Sequence, residues 1–144
     1  MSVAAQLESA CQQVFERLSY MLCEKGDAPD LPEDTQFLRG SISYEGAANG
    51  VLSLAGPESV FRLAGQMAVG DEQDECSGES ALKELLNVIC GLYVSMGDSS
   101  VDVRLGLPRC TSLNRDEWLD VAGDPHTVML LVESMPIAAQ VKDA

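Results

Sequence analysis

Apolar residues recur at helical spacing at the start of the chain, at Val3, Leu7, Ala10, Val14, Leu18 and Met21. This predicts a helix over 3–24, which Gly26 can end. The next stretch, K-G-D-A-P-D-L-P-E-D, is a loop by its Gly, Pro and Asp content. The period then drops to two. Over 37–45, Leu38, Ile42 and Tyr44 share one strand face. The turn E-G-A-A-N-G leads to V-L-S-L-A, so the two runs predict a hairpin. Gly56-Pro57-Glu58 marks a helix start: Pro is tolerated in a first turn and an acid there suits the helix dipole. That helix should run to about Ala68, with Val60, Phe61, Ala64 and Met67 inward, and stop at Gly70.

An acidic connector follows, D-E-Q-D-E-C-S-G-E at 71–79. It lacks the alternating oxygen ligands of a calcium loop and reads as a solvated linker. Residues 79–96 form a third helix. V-D-V-R-L-G-L at 101–107 alternates strictly, which predicts a half-buried strand ended by Pro108. A further strand is expected around Trp118. T-V-M-L-L-V-E reads as a buried central strand, and Pro136 breaks the chain before a last alternating segment, I-A-A-Q-V-K. The sum is an α+β domain, an antiparallel sheet packed with helices. Glu8-Ser9-Ala10 echoes Glu79-Ser80-Ala81, each ahead of apolar helical residues. This register sets Gln13 against Glu84 and Glu16 against Asn87, and suggests a duplicated helix–strand–strand unit.

The third helix reads E-S-A-L-K-E-L-L-N-V-I-C-G over 79–91. At 3.6 residues per turn, with Ser80 at zero, Glu84 falls at about +40°, Asn87 at about −20° and Gly91 at about +20°. Leu85, Leu86, Ile89, Leu92, Tyr93 and Met96 cluster on the opposite side. The polar strip therefore faces solvent or a partner. Gly91 leaves one end of it bare, so a partner's backbone could come close. A mid-helix Gly costs roughly 1 kcal/mol relative to Ala, which favours a docking or packing reason for it. The plainer reading is an ordinary exposed face, with Ser80 serving only to cap the helix start.

Charge and composition narrow the function. The 144 residues suit one domain spanning 1–144. A net charge of −14 argues against nucleic acid and against docking on an anionic membrane. The longest aliphatic run, V-M-L-L-V, is too short to span a bilayer. The first residues lack the basic region of a signal peptide, so a cytoplasmic protein is expected. Five cysteines without a C-x-x-C read as reduced thiols, with Cys11 and Cys90 in the core. No His/Cys/Asp cluster builds a self-sufficient hydrolase. His126, the single histidine, sits in G-D-P-H-T, a turn before a strand.

S-x-x-x-E-x-x-N on a helix, followed by I-C-G, resembles the chemotaxis phosphatases of the CheC/CheX/FliY type, whose active helix carries Asp or Ser, then Glu, then Asn at this spacing. F-L-R-G-S-I-S-Y-E-G-A-A-N-G-V-L-S-L is similar to the hairpin upstream of that helix in CheX-like proteins. G-P-E-S-V-F-R-L-A-G-Q-M resembles the helix between them, and L-G-L-P the following strand end. The single E-x-x-N motif looks like the CheX branch. The resemblance covers residues 37–108 well and the rest loosely.

It implies a CheC-like fold and a phosphorylated CheY-type response regulator as substrate. The regulator would supply the phosphoaspartate, the Mg²⁺ and a lysine, so this chain would bind no cofactor or metal itself. Asn87 would orient the attacking water, Glu84 would pair with the lysine, and Ser80 and Gly91 would contact the partner. It also implies a homodimer associating through its sheets, for which I-A-A-Q-V-K offers a strand edge. The alternative is a module that binds a regulator, or joins a signalling assembly, without hydrolysis.

Overall fold

The computed structural model describes residues 2–46, 48–69, 77–97 and 102–143. Its elements are α1 (Val3–Leu18), β1 (Cys23–Lys25), β2 (Phe37–Glu45), β3 (Gly50–Pro57), α2 (Glu58–Val69), α3 (Gly78–Ser95), β4 (Arg104–Leu105), β5 (Arg109–Leu113), α4 (Arg115–Gly123), β6 (Val128–Val132) and β7 (Met135–Asp143). The seven strands form one sheet in the order β1-β6-β7-β3-β2-β4, with β5 also on β2. Every pairing is antiparallel, so the α+β architecture is the one expected. The linker residues 71–76, Cys76 among them, and Val101 lie outside the described residues.

The plan is symmetric about the β7/β3 boundary. The β2–β3 hairpin lies on one side and the β6–β7 hairpin on the other. The edge strand after α1 pairs with β6, and the edge strands after α3 pair with β2. The shift that carries Glu8 onto Glu79 also carries Leu7, Ala10, Cys11, Val14 and Phe15 onto Gly78, Ala81, Leu82, Leu85 and Leu86. All ten are buried. Both halves thus repeat one helix–edge strand–hairpin unit.

α1, α2 and α3 share a continuous core with the sheet, built around Phe15, Phe61, Leu82, Ile89, Leu52 and Leu130. α3 lies over β2 at Gly40, where a Cβ would stand 2.6 Å from Leu86 Cδ1 and 2.8 Å from Leu82 Cγ. Glycine at this one position lets two leucines reach the sheet. The opposite face carries a smaller cluster in which Trp118 of α4 stacks on Phe37, with centroids 5.1 Å apart and planes 10° off parallel.

Several expectations from the sequence are corrected. The first helix stops at Leu18, not near residue 24. Ser19 caps it and buries its hydroxyl against Ala64 O at 2.8 Å. Tyr20, at φ 55°, turns the chain back, so Met21 is buried outside the helix and 23–25 join the sheet. Met67 is not inward: it is 42% exposed. The segment around Trp118 is helical, because Asn114 and Glu117 form a reciprocal capping box that nucleates α4.

The strand expected over 101–107 shrinks to Arg104–Leu105, both exposed, and pairing resumes at Arg109–Leu113. Tyr44 pairs with Leu105 and Ser41 with Arg109, so the outer chain gains one residue over this stretch: Leu107 and Pro108 together oppose Ile42, a bulge. β6 is internal, yet only short β1 flanks it on one side, and its burial alternates.

Pro136 does not break the last strand. Glu133 and Ser134, both at positive φ, form a two-residue turn that closes β6 on β7 at the Val132–Met135 pair. Pro136 then falls at a pair that exchanges no N–H···O bonds with β6, and pairing with β3 begins only at Ala138. β7 is thus paired with β6 over Met135–Ala139 and with β3 over Ala138–Asp143, so I-A-A-Q-V-K has a strand on both sides only at Ala138 and Ala139. Among the described residues, no helix is long and apolar enough to cross a membrane.

Candidate functional site

α3 begins at Ser77, whose extended backbone and side chain cap the helix: Ser80 N donates to Ser77 Oγ at 3.0 Å. Ser77 Oγ in turn donates to Ser80 Oγ at 3.0 Å. Glu79 in the first turn complements the helix dipole and pairs with Lys83 at 3.3 Å. Ala81, Leu82, Leu85, Leu86, Ile89, Cys90 and Tyr93 are buried, which fixes the rotation of the helix on the sheet.

With that rotation fixed, Ser80, Glu84 and Asn87 are all exposed and Gly91 is half-exposed. The strip is thus brought together on one surface, as the spacing predicts. Glu84 and Asn87 make no hydrogen bond or ion pair with any described residue. A carboxylate and a carboxamide are presented side by side with their full bonding capacity open. A Cβ built at Gly91 meets nothing within 4 Å, so the glycine meets no steric need inside the chain.

The setting of the strip was not legible in the sequence. On the Glu84 side, Ala64, Gly65 and Ala68 of α2 face Ser80 and Glu84 across a shallow groove with apolar walls. A second groove continues along α3, where Val14 and Arg17 of α1 face Val88 and Leu92. Leu92, expected in the core, lies at its margin and is half-buried. On the other flank, Lys83 and Glu79 come close enough to Cys110 on β5 to act on its thiol, which burial and Glu79 raise.

Other candidates stand apart from the strip. His126 is exposed, bonded to Asp124 before β6. It borders a cleft with Tyr44, Tyr93 and Lys142. Cys11, Cys23 and Cys90 are buried. Among the described residues, no group of three or more His, Cys, Asp or Glu side chains could hold a metal ion.

The sequence model described as "Chemotaxis phosphatase CheX" matches residues 38–117, more than half of the chain. The chain is similar in fold to a chemotaxis protein CheX from Desulfovibrio desulfuricans, with a TM-score of 0.71 at 11% identity over 100% of both chains. It is similar to a chain from a CheX–CheY–BeF3–Mg²⁺ complex of Borrelia burgdorferi, with a TM-score of 0.63 at 11% identity over 99% of each. FliY from Thermotoga maritima matches with a TM-score of 0.57 at 16% identity, covering 96% of this chain and 84% of that one. No individually curated protein sequence matches the chain significantly.

Proposed function

The chain belongs to the CheX family of chemotaxis phosphatases, and from that premise we propose that it dephosphorylates the phosphoaspartate of a CheY-type response regulator in the cytoplasm. The observation that carries this reading is the exposed Glu84–Asn87 pair, without a partner among the described residues, on the face of α3 opposite the core. Phosphoryl transfer depends mostly on positioning and charge stabilisation, so a helix can complete another protein's active site with very few groups.

Asn87 is the water-orienting group. Its amide both donates and accepts, and needs no pKa tuning to work at neutral pH. Glu84 pairs with a lysine of the regulator and sets the register of α3 in the site. Ser80, exposed on the same strip, makes a docking hydrogen bond. Gly91 admits the regulator's backbone. The regulator brings the acyl phosphate and the Mg²⁺. The similar chain from Borrelia burgdorferi, solved with CheY, BeF3 and Mg²⁺, supports a partner of this kind. Among the described residues β1, β4 and β5 are paired on one side and offer edges to a second copy; sizing of edge variants tests that dimer.

The test of function is phosphate release from a phosphorylated regulator. Asn87→Ala should slow it on the order of 10²-fold or more while leaving the fold intact. Equal rates for wild type and variant would remove Asn87 from the mechanism. Tight binding without any acceleration by wild type would leave only the binding-module reading.

A further inference from the structure

We infer that the Glu84 flank of α3 is a second docking element for the phosphorylated regulator: an apolar trough with the Arg17 guanidinium at its α1 end. The inference rests on the reading that a regulator is the partner of the strip.

The two grooves beside the strip adjoin at Leu18, at the end of α1, which lines both. Small residues hold the α2 side open: Ala64, Gly65 and Ala68 stand where larger apolar side chains would close it. An apolar group in its wall remains in water, with Val88 39% exposed. A trough of this shape, continuous with the polar strip, suits an apolar ridge from a partner.

Its position selects the occupant. Glu84 forms part of the wall, and Val88 follows Asn87 in the helix. A protein whose reacting group reaches Asn87 has this trough within reach of its neighbouring surface. Charge selects further. The chain has nine Lys and Arg residues against a net −14. Arg62, Lys83, Arg104 and Lys142 sit in ion pairs and Arg39 and Arg115 donate hydrogen bonds, whereas Arg17, Lys25 and Arg109 have neither with a described residue, and of these three Arg17 lines the trough. It is exposed at the trough. A phosphoaspartate site must carry several carboxylates to hold its divalent cation, so its rim is acidic. An exposed cation beside the inserted helix complements such a rim, and opposes the repulsion that the chain's overall charge creates.

The experiment uses the full chain and a purified CheY-type regulator activated with beryllofluoride and Mg²⁺ for affinity, or phosphorylated for turnover. Arg17→Glu and Val88→Asp are compared with Arg62→Glu, an exposed change outside the trough, after all three are shown to melt like wild type. Both trough variants should weaken binding about tenfold and raise KM alike, with kcat at saturation within about twofold of wild type. The Arg17→Glu loss should shrink in about 1 M salt and the Val88→Asp loss should not. Asn87→Ala should lower kcat and leave the affinity near wild type, which separates the two roles. Wild-type affinity in both trough variants overturns the inference, even if phosphatase activity stands. A change in self-association with unchanged regulator affinity also overturns it, assigning the trough to a second copy. If wild type binds the regulator but releases no phosphate, the catalytic reading fails and the affinity series still decides this one.

Discussion

Gly40→Ala is a one-methyl change that should unsettle the platform of the active helix. An ideal Cβ at Gly40 lies 2.6 Å from Leu86 Cδ1, 2.8 Å from Leu82 Cγ and 3.0 Å from Leu82 Cδ2. Carbon pairs rest at about 3.5–4.0 Å, so α3 must lift by roughly 1 Å or both leucines must leave their rotamers. Leu86 could yield, since its contact is a chain end. Leu82 cannot yield as easily, because its branch point is the contact and the side chain is fully buried. Overpacking of this kind costs about 1–3 kcal/mol, which for a chain of this size lowers Tm by roughly 2–12 °C.

The assay is urea denaturation of Gly40→Ala, Leu86→Ala and the double variant. Leu86→Ala alone should cost about 2–5 kcal/mol through the cavity it leaves. In the double variant the new methyl occupies part of that cavity, so the two losses should fall short of their sum by about 1 kcal/mol or more. Strict additivity, or a neutral Gly40→Ala, would refute the close approach of α3 to β2.

The same substitution on the other side of the helix should have the opposite sign. Gly91→Ala meets nothing within 4 Å and should stabilise the fold by up to about 1 kcal/mol; if the regulator's backbone docks there, phosphatase activity falls while Tm rises. Asn114→Ala removes the reciprocal cap of α4 and should cost about 0.5–2 kcal/mol, with the fluorescence of Trp118 reporting the loosened stack on Phe37. The fold should also weaken in alkali. Burial pushes the Cys90 thiol from 9.0 up to about 11 and, with Glu16, Glu8 and Glu24 nearby, the Cys23 thiol up to about 12. Folding keeps these thiols protonated, so their contribution is complete below pH 9 and is lost as pH rises from about 9 to 12, by up to about 1.4 kcal/mol per pH unit for each thiol. Urea midpoints should be nearly level up to about pH 8 and then fall progressively through about pH 9 and 10.5; a flat series would contradict the burial of these thiols.

The sequence by itself determined the rotation of α3. Its apolar positions recur every three to four residues, and burying them leaves one orientation, so the exposure of Ser80, Glu84 and Asn87 followed from spacing alone. It also determined the β2–β3 hairpin and the start of α2, where turn and cap chemistry act over a few neighbouring residues. Asn114 and Glu117 were equally readable as a helix start, and the strand expectation around Trp118 overlooked that local signal.

Only the tertiary structure decided what lies beside what. Alternation in I-A-A-Q-V-K marks a strand but cannot say what flanks it; that depends on β6, which pairs with its first half, and β3, which pairs with it from Ala138 on. The strict alternation at 101–107 gave way to a bulge because β2, distant in sequence, fixes how many residues its outer neighbour may use. The need for glycine at 40 exists only because α3 crosses there. The trough is the fullest case. Leu18, Ala64, Arg17 and Val88 come from three helices, and no local pattern marks them as a surface. Periodicity reports which face of an element is buried, whereas a site is made of faces from several elements, and their meeting is settled by packing across the whole chain.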